Sequence, residues 1–174
     1  MSLVITNTRL GMQPVLTVSS VQNHAMGTEV GFYDTTSGSG GQGAGTLIYL
    51  QGAASTIQGS VVTYNTREGS TTLLTATTGK NTGFPLAVAM AATNTTGTWG
   101  WYQTSGVALV AKDATDFPTA SSVYLSSTAG KISVTAASGN QVQNAISANS
   151  ASVASTTTTM YVNINRPSAQ GAAG

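Results

Sequence analysis

Turn signals built on glycine, proline and asparagine interrupt this chain at short intervals, and the runs between them are too short for most helices. The punctuation falls at Gly52, Gly59, Glu68-Gly69, Thr78-Gly79-Lys80, 94–97, Ser105-Gly106, Phe117-Pro118, Ala129-Gly130 and Ser138-Gly139-Asn140. Between these lie segments rich in Thr, Val, Tyr and Ile: residues 46–51, 60–65, 71–75, 85–92, 98–104, 107–112, 122–126, 131–136, 142–147 and 157–165. Branching at Cβ is well tolerated on a pleated surface and restricts side-chain freedom in a helix. Many short strands at such spacing predict an all-β fold, a small antiparallel β-barrel or sandwich.

Within this pattern, Thr98-Trp99-Gly100-Trp101-Tyr102-Gln103 places both tryptophans on one strand face and Gly100 and Tyr102 on the other. Two indoles at this spacing are expected to anchor the core. Ser105-Gly106 is expected to be a tight turn joining this strand to 107–110 in a hairpin. Residues 85–92 are apolar almost throughout, as in a strand covered on both faces. The alanine-rich stretch 145–154 has no apolar stripe, so loop or strand is expected there instead of helix.

Residues 1–30 mix short apolar runs with polar spacers, and Pro14 breaks them. They are expected to form an extended N-terminal arm with one or two short strands, ahead of a body over 31–165 and a tail over 166–174. Residues 34–45 carry five glycines and read as a flexible loop. A phosphate-cradling loop would need Gly-Lys-Ser/Thr and a following helix, whereas Thr46-Leu-Ile-Tyr-Leu50 has strand character. The first residues, Met1-Ser-Leu-Val-Ile5, lack the basic and long apolar segments of a signal peptide, so none is expected.

The chain has 174 residues, of which six are Lys or Arg and five Asp or Glu, with one His and no Cys. Acid–base, nucleophilic and metal chemistry need ionisable groups gathered in one place. Here they are scattered, which argues against an enzyme, and no cofactor is expected. The absence of cysteine removes disulfides, thiolate catalysis and zinc–thiolate sites. A net charge of +1 offers no basic track for nucleic acid and no general attraction to an anionic membrane. No apolar run approaches the length of a transmembrane helix. So little charge favours association over an isolated life in solution.

Each sharper constellation has a plainer competitor. His24 alone cannot form a two-histidine metal site, and a hydrogen-bonded structural or interface role is expected. Asp113 and Asp116 could offer oxygens to Ca²⁺, but such a site takes six or more ligands, and a solvated turn before Pro118 is the plainer reading. They also lack the opposed placement of a glycosidase pair. Trp99, Trp101 and Tyr102 could stack on a sugar, although paired aromatics are more often core. Asn94-Thr95-Thr96 matches a glycosylation acceptor and is most simply a turn.

Several segments in order resemble a family of tailed-bacteriophage virion proteins, the small β-rich capsid decoration or cement proteins. They are His24-Ala-Met-Gly-Thr28, Gly45-Thr-Leu-Ile-Tyr-Leu-Gln-Gly-Ala-Ala-Ser-Thr56, Val62-Thr-Tyr-Asn65 and Pro85-Leu-Ala-Val-Ala-Met90. Gly100-Trp-Tyr-Gln-Thr-Ser-Gly-Val-Ala-Leu-Val110, Val123-Tyr-Leu-Ser-Ser-Thr-Ala-Gly-Lys131 and Ile164-Asn-Arg-Pro167 complete the set. The resemblance implies a virion structural protein on the outer surface of the capsid, bound to the major capsid protein and to neighbouring copies of itself. Trimers are preferred over dimers. It carries over no catalytic residues. Arg9, Met12 and His24 in the arm and Arg166 and Pro167 at the start of the tail are the expected interface residues. An arm of about 25 residues at about 3.3 Å each could reach across roughly 80 Å and add a strand to an exposed edge. The competing readings are a tail or baseplate component and a carbohydrate-binding module for host attachment.

Overall fold

The structure, a computed structural model, describes residues 3–6, 12–35, 43–65, 67–93 and 95–172. Among these the chain forms eleven strands and no helix. They are β1 (Leu3–Ile5), β2 (Glu29–Asp34), β3 (Ala44–Gln51), β4 (Val61–Tyr64), β5 (Thr71–Leu73) and β6 (Leu86–Ala89), followed by β7 (Trp99–Ala111), β8 (Ser122–Leu125), β9 (Ile132–Ser133), β10 (Gln141–Ser147) and β11 (Thr159–Ala169). All strand pairs are antiparallel. The main path runs β1-β2-β3-β7-β11-β10-β8-β9, and β4, β5 and β6 branch from it through β7. The all-β class expected from the sequence is therefore the observed one. The sheet stays open between β1 and β9, so the barrel alternative is not realised.

The 13-residue β7 organises everything else. Its first half pairs with β3, from Trp99↔Gln51 to Ser105↔Thr46, and its second half pairs with β11, from Ser105↔Asn165 to Ala111↔Thr159. Gln103 and Tyr102 also pair with Val88 and Ala89 of β6, so β7 is flanked on both edges there. Side chains stand perpendicular to these paired edges, and both faces of the stretch are covered, Trp101 packing in one cluster and Tyr102 in another, so Trp101, Tyr102, Gln103 and Thr104 are all buried.

The hairpin expected at Ser105-Gly106 is absent, because the chain runs straight through as one strand. Its turn signal is spent on a β-bulge. Thr46 pairs with Ser105 and Leu47 with Gln103, leaving Thr104 as the extra residue. Gly106 has φ +92°, and a Cβ there would stand 3.0 Å from the Gly45 Cα and closer still to the Ala44 carbonyl oxygen. The Gln103 side-chain amide donates to the Ser105 and Val107 carbonyls at 3.0 and 3.1 Å and holds the bulge shut. A bulge uses the same positive φ that a turn would, which is why local sequence does not separate them.

A second irregularity lies in β11. Gln143 pairs with Ser168, but Ala145 pairs with Ile164, so one residue of β10 faces three of β11. Those three are Asn165, Arg166 and Pro167. Pro167 has no N–H for a ladder, and Arg166 sits at φ +47°. Beyond the irregularity the strand resumes: Ala169 pairs with Val142 and its N–H donates to the Phe84 carbonyl at 2.9 Å. Residues 166–169 thus belong to the sheet.

The core has three parts. The largest gathers β6, the second half of β7, β8, β9, β10 and β11 around Val110, Phe117, Val123, Ile132, Met160 and Val162. The other two lie on opposite faces of β3, as strand alternation requires. Leu47 and Tyr49 join Val15, Phe32 and Trp101 on one face, and Ile48 and Leu50 join Val62, Ala87 and Tyr102 on the other. Trp101 is 1% exposed, and Trp99 is half-buried against the same cluster, as expected for the indole face.

Candidate functional site

Residues 12–28 lie across the Trp99–Trp101 face as a strap. They lack regular structure apart from the Ser19–Trp99 bridge, whose two backbone hydrogen bonds measure 2.9 and 2.7 Å. Gln13 fastens the strap. Its backbone N–H donates to His24 Nε2 at 3.1 Å, and its carbonyl accepts the Trp101 indole N–H at 3.0 Å. Its amide nitrogen donates to the carbonyls of Thr17 and Trp99 at 2.8 and 3.0 Å. Its amide oxygen accepts from the Tyr49 hydroxyl at 2.8 Å and from the Asn23 amide at 3.1 Å. Every polar hydrogen and acceptor oxygen of Gln13 is occupied, as a 5%-exposed amide requires.

His24 completes this knot. Its ring stands edge-on to Tyr49 at 5.0 Å and 5.3 Å from Trp101. Because Nε2 accepts a backbone N–H, the proton of the neutral ring belongs on Nδ1. Tyr49 also stacks on Trp99 at 6.0 Å. Burial pushes the Tyr49 phenol up from its ordinary pKa, and the hydrogen bond from the Asn23 N–H opposes the shift.

The expected interface residues separate into different environments. Arg9 lies outside the described residues. Met12 packs, partly buried, on the core cluster beneath the strap. Pro167 is buried and lines a small apolar cavity with Leu86, Val88, Val142, Val162 and Ile164. Arg166 is exposed and grips Glu29 of β2 through two hydrogen bonds of 3.0 and 2.8 Å. This contact holds its guanidinium above the ordinary arginine range. The structure brings His24 and Met12 together on the strap and leaves Arg166 at the β11 irregularity.

The acidic pair is engaged in two separate turn contacts. Asp113 accepts from the Ser126 hydroxyl at 2.7 Å, and Asp116 accepts from the Ser155 backbone N–H at 2.7 Å. Beside them lies a feature the sequence does not flag, Lys112, 1% exposed. Its ammonium donates to the Asp113 and Thr115 carbonyls at 3.0 and 2.7 Å, closing the loop after β7. Among the described residues, no three His, Asp or Glu side chains are grouped to hold a metal, and no helix could cross a membrane. The sugar-stacking platform weighed for Trp99, Trp101 and Tyr102 is overturned by burial: Trp101 and Tyr102 are each 1% exposed.

A groove opens instead beside β4 and β5, with about 470 Å³ of open volume. Thr63, Tyr64, Thr72, Glu68, Phe84 and Pro85 form most of its walls. Thr63 and Thr72 are directly paired across the two strands, and the Thr63 hydroxyl donates to the Pro85 carbonyl at 3.0 Å. Burial raises the pKa of the Tyr64 phenol; the Arg166 charge lowers it and the Glu29 charge raises it. The groove therefore neighbours the Glu29–Arg166 pair. Its residues come from the β4–β5 hairpin and from Phe84-Pro85, which nothing in the local sequence places together.

The fold and these surfaces define an open-sheet, all-β protein with a strapped N-terminal segment. In comparison with known proteins, the chain matches no family model, no curated protein and no solved structure.

Proposed function

We propose that this chain is a structural protein of a bacteriophage-type virion, a decoration protein that binds the outer surface of the major capsid protein lattice and stabilises the mature shell. The observation that carries the proposal is the form of the sheet. It is open, and among the described residues β1, within the arm, pairs on one side only, with β2. An unpaired strand edge is a template for backbone hydrogen bonding to another chain. Such bonding needs no charge, which suits a chain with only eleven charged side chains in 174 residues.

The ordered resemblance to decoration proteins supports the same reading, as does the dispersal of exposed apolar residues. Val4, Leu16, Val18, Val21 and Met26 all keep more than a third of their surface in the strap and β1 region. A lattice protein makes many copies of a modest contact, and a specific contact needs roughly 1,000 Å² or more. Copy number in purified particles tests the proposal. Quantitative mass spectrometry should find this chain near a simple ratio to the major capsid protein. A few copies per particle would assign it to the tail or portal, and absence from particles would refute a virion role.

A further inference from the structure

Phe84 is 47% exposed although its backbone is pinned. Its carbonyl accepts the Ala169 N–H at 2.9 Å, and the next residue, Pro85, bridges to Ser168 of β11. A phenyl ring held half in water on fixed backbone leaves apolar surface unburied that other packing would have removed from water. Thr63 and Thr72 are register partners and so share one face of the β4–β5 pair, and with Asn65, Ser70 and Glu68 they line the groove beside this ring.

The groove's size falls within the range of about 300–1,000 Å³ usual for small-ligand sites. No Lys or Arg lines it, and its only ionisable carboxyl is that of Glu68. A phosphate, a nucleic acid or an acidic sugar would meet no cation among the lining residues, and the neighbouring Arg166 is already paired with Glu29. Aromatic faces beside hydroxyls, an amide and one acceptor carboxylate suit a ligand with apolar C–H faces and many O–H donors.

We propose that the Tyr64–Phe84 groove binds a neutral glycan, with one sugar ring stacked on Phe84 and its hydroxyls hydrogen-bonded to Thr72 and Glu68. This activity goes beyond the shell-binding role and is independent of it. The test titrates the full chain with dextran, mannan and galactan as neutral probes and with dextran sulfate as an anionic one. At least one neutral polysaccharide should bind, and Phe84→Ala should weaken it at least about tenfold. Ile57→Ala, which removes an exposed apolar side chain outside the groove, should leave binding unchanged. Glu68→Gln, at an exposed loop position, gives a second variant if Phe84→Ala disturbs folding, and it too should weaken binding. Failure of all three neutral probes to bind, preference for dextran sulfate, or full binding by both groove variants would overturn the proposal.

Discussion

The Gln13 side-chain oxygen accepts the Tyr49 hydroxyl at 2.8 Å, joining residues 36 positions apart in the chain. This contact links the strap to β3, next to the strand that organises the sheet. The same amide reaches Trp99, and the Gln13 carbonyl reaches Trp101, both on β7. One glutamine therefore fixes the strap to the two central strands at once. A buried amide satisfied at every position is costly to disturb, because removing it orphans several partners together.

Gln13→Ala should destabilise the protein by about 1–3 kcal/mol, since it takes the acceptor from the buried Tyr49 hydroxyl and leaves the Trp99 carbonyl with the Ser19 N–H alone. Urea unfolding should show a lower midpoint with an unchanged slope. Proteolysis should cut within residues 12–28 first. A shift under about 0.5 kcal/mol would show that water replaces the amide freely.

Stability should fall on the alkaline side. Burial raises the phenol pKa of Tyr49, Tyr64 and Tyr102 in the folded protein, whereas an unfolded tyrosine ionises near pH 10. The stability these groups contribute is complete below about pH 10 and is lost as pH rises from there through their folded values. Tyr102→Phe should flatten this loss the most. The Tyr102 hydroxyl is buried beside Thr71 and Thr93 without a hydrogen bond of ordinary geometry, so at pH 7 the substitution should be close to neutral. Thermal melts of the two proteins at pH 7 and pH 10.5 check both statements.

Two glycines with similar backbone angles should respond differently to alanine. Gly106 and Gly97 have φ of +92° and +88°. A Cβ at Gly97 meets nothing within 4 Å, whereas one at Gly106 collides with the Ala44 and Gly45 backbone. Gly97→Ala should cost about 1 kcal/mol, from backbone strain alone, and Gly106→Ala about 2–3 kcal/mol or more. Equal losses by denaturant titration would place the β3–β7 approach elsewhere.

The Arg166–Glu29 pair should contribute little, despite its bidentate geometry. The two side chains are 63% and 37% exposed. Pairs so solvated are typically worth about 0–1 kcal/mol. Arg166→Gly should therefore be nearly neutral, because relief of the left-handed backbone at φ +47° offsets the lost pair. Glu29→Ala, which has no such relief, should be slightly destabilising, and 0.5 M NaCl should erase the difference between Glu29→Ala and the parent protein.

Legibility in the sequence followed the range of the forces involved. The runs expected at 46–51 and 122–126 became β3 (Ala44–Gln51) and β8 (Ser122–Leu125), because branching at Cβ and nearby turn residues act within a few positions. The buried stretch at 85–92 became β6, with all four of its residues in the core. Residues 131–136 yielded only the two-residue β9, paired as Leu125↔Ile132 and Tyr124↔Ser133. Of the proposed interface residues, nothing local told a buried Pro167 from an exposed Arg166 one position earlier.

By itself the amino-acid sequence determined an all-β protein of short strands, an indole-anchored core and too few ionisable groups for gathered chemistry. Those properties rest on side-chain shape, alternation and composition, which neighbouring residues settle among themselves. Only the tertiary structure decided that Ser105-Gly106 is a bulge inside one long strand, that the sheet stays open, that Gln13 is buried and that Phe84 stays exposed. Each of those outcomes depends on which distant backbone groups compete for the same hydrogen bonds: β3, β6 and β11 all claim β7, and the pairing that buries most apolar surface fixes the register for the rest.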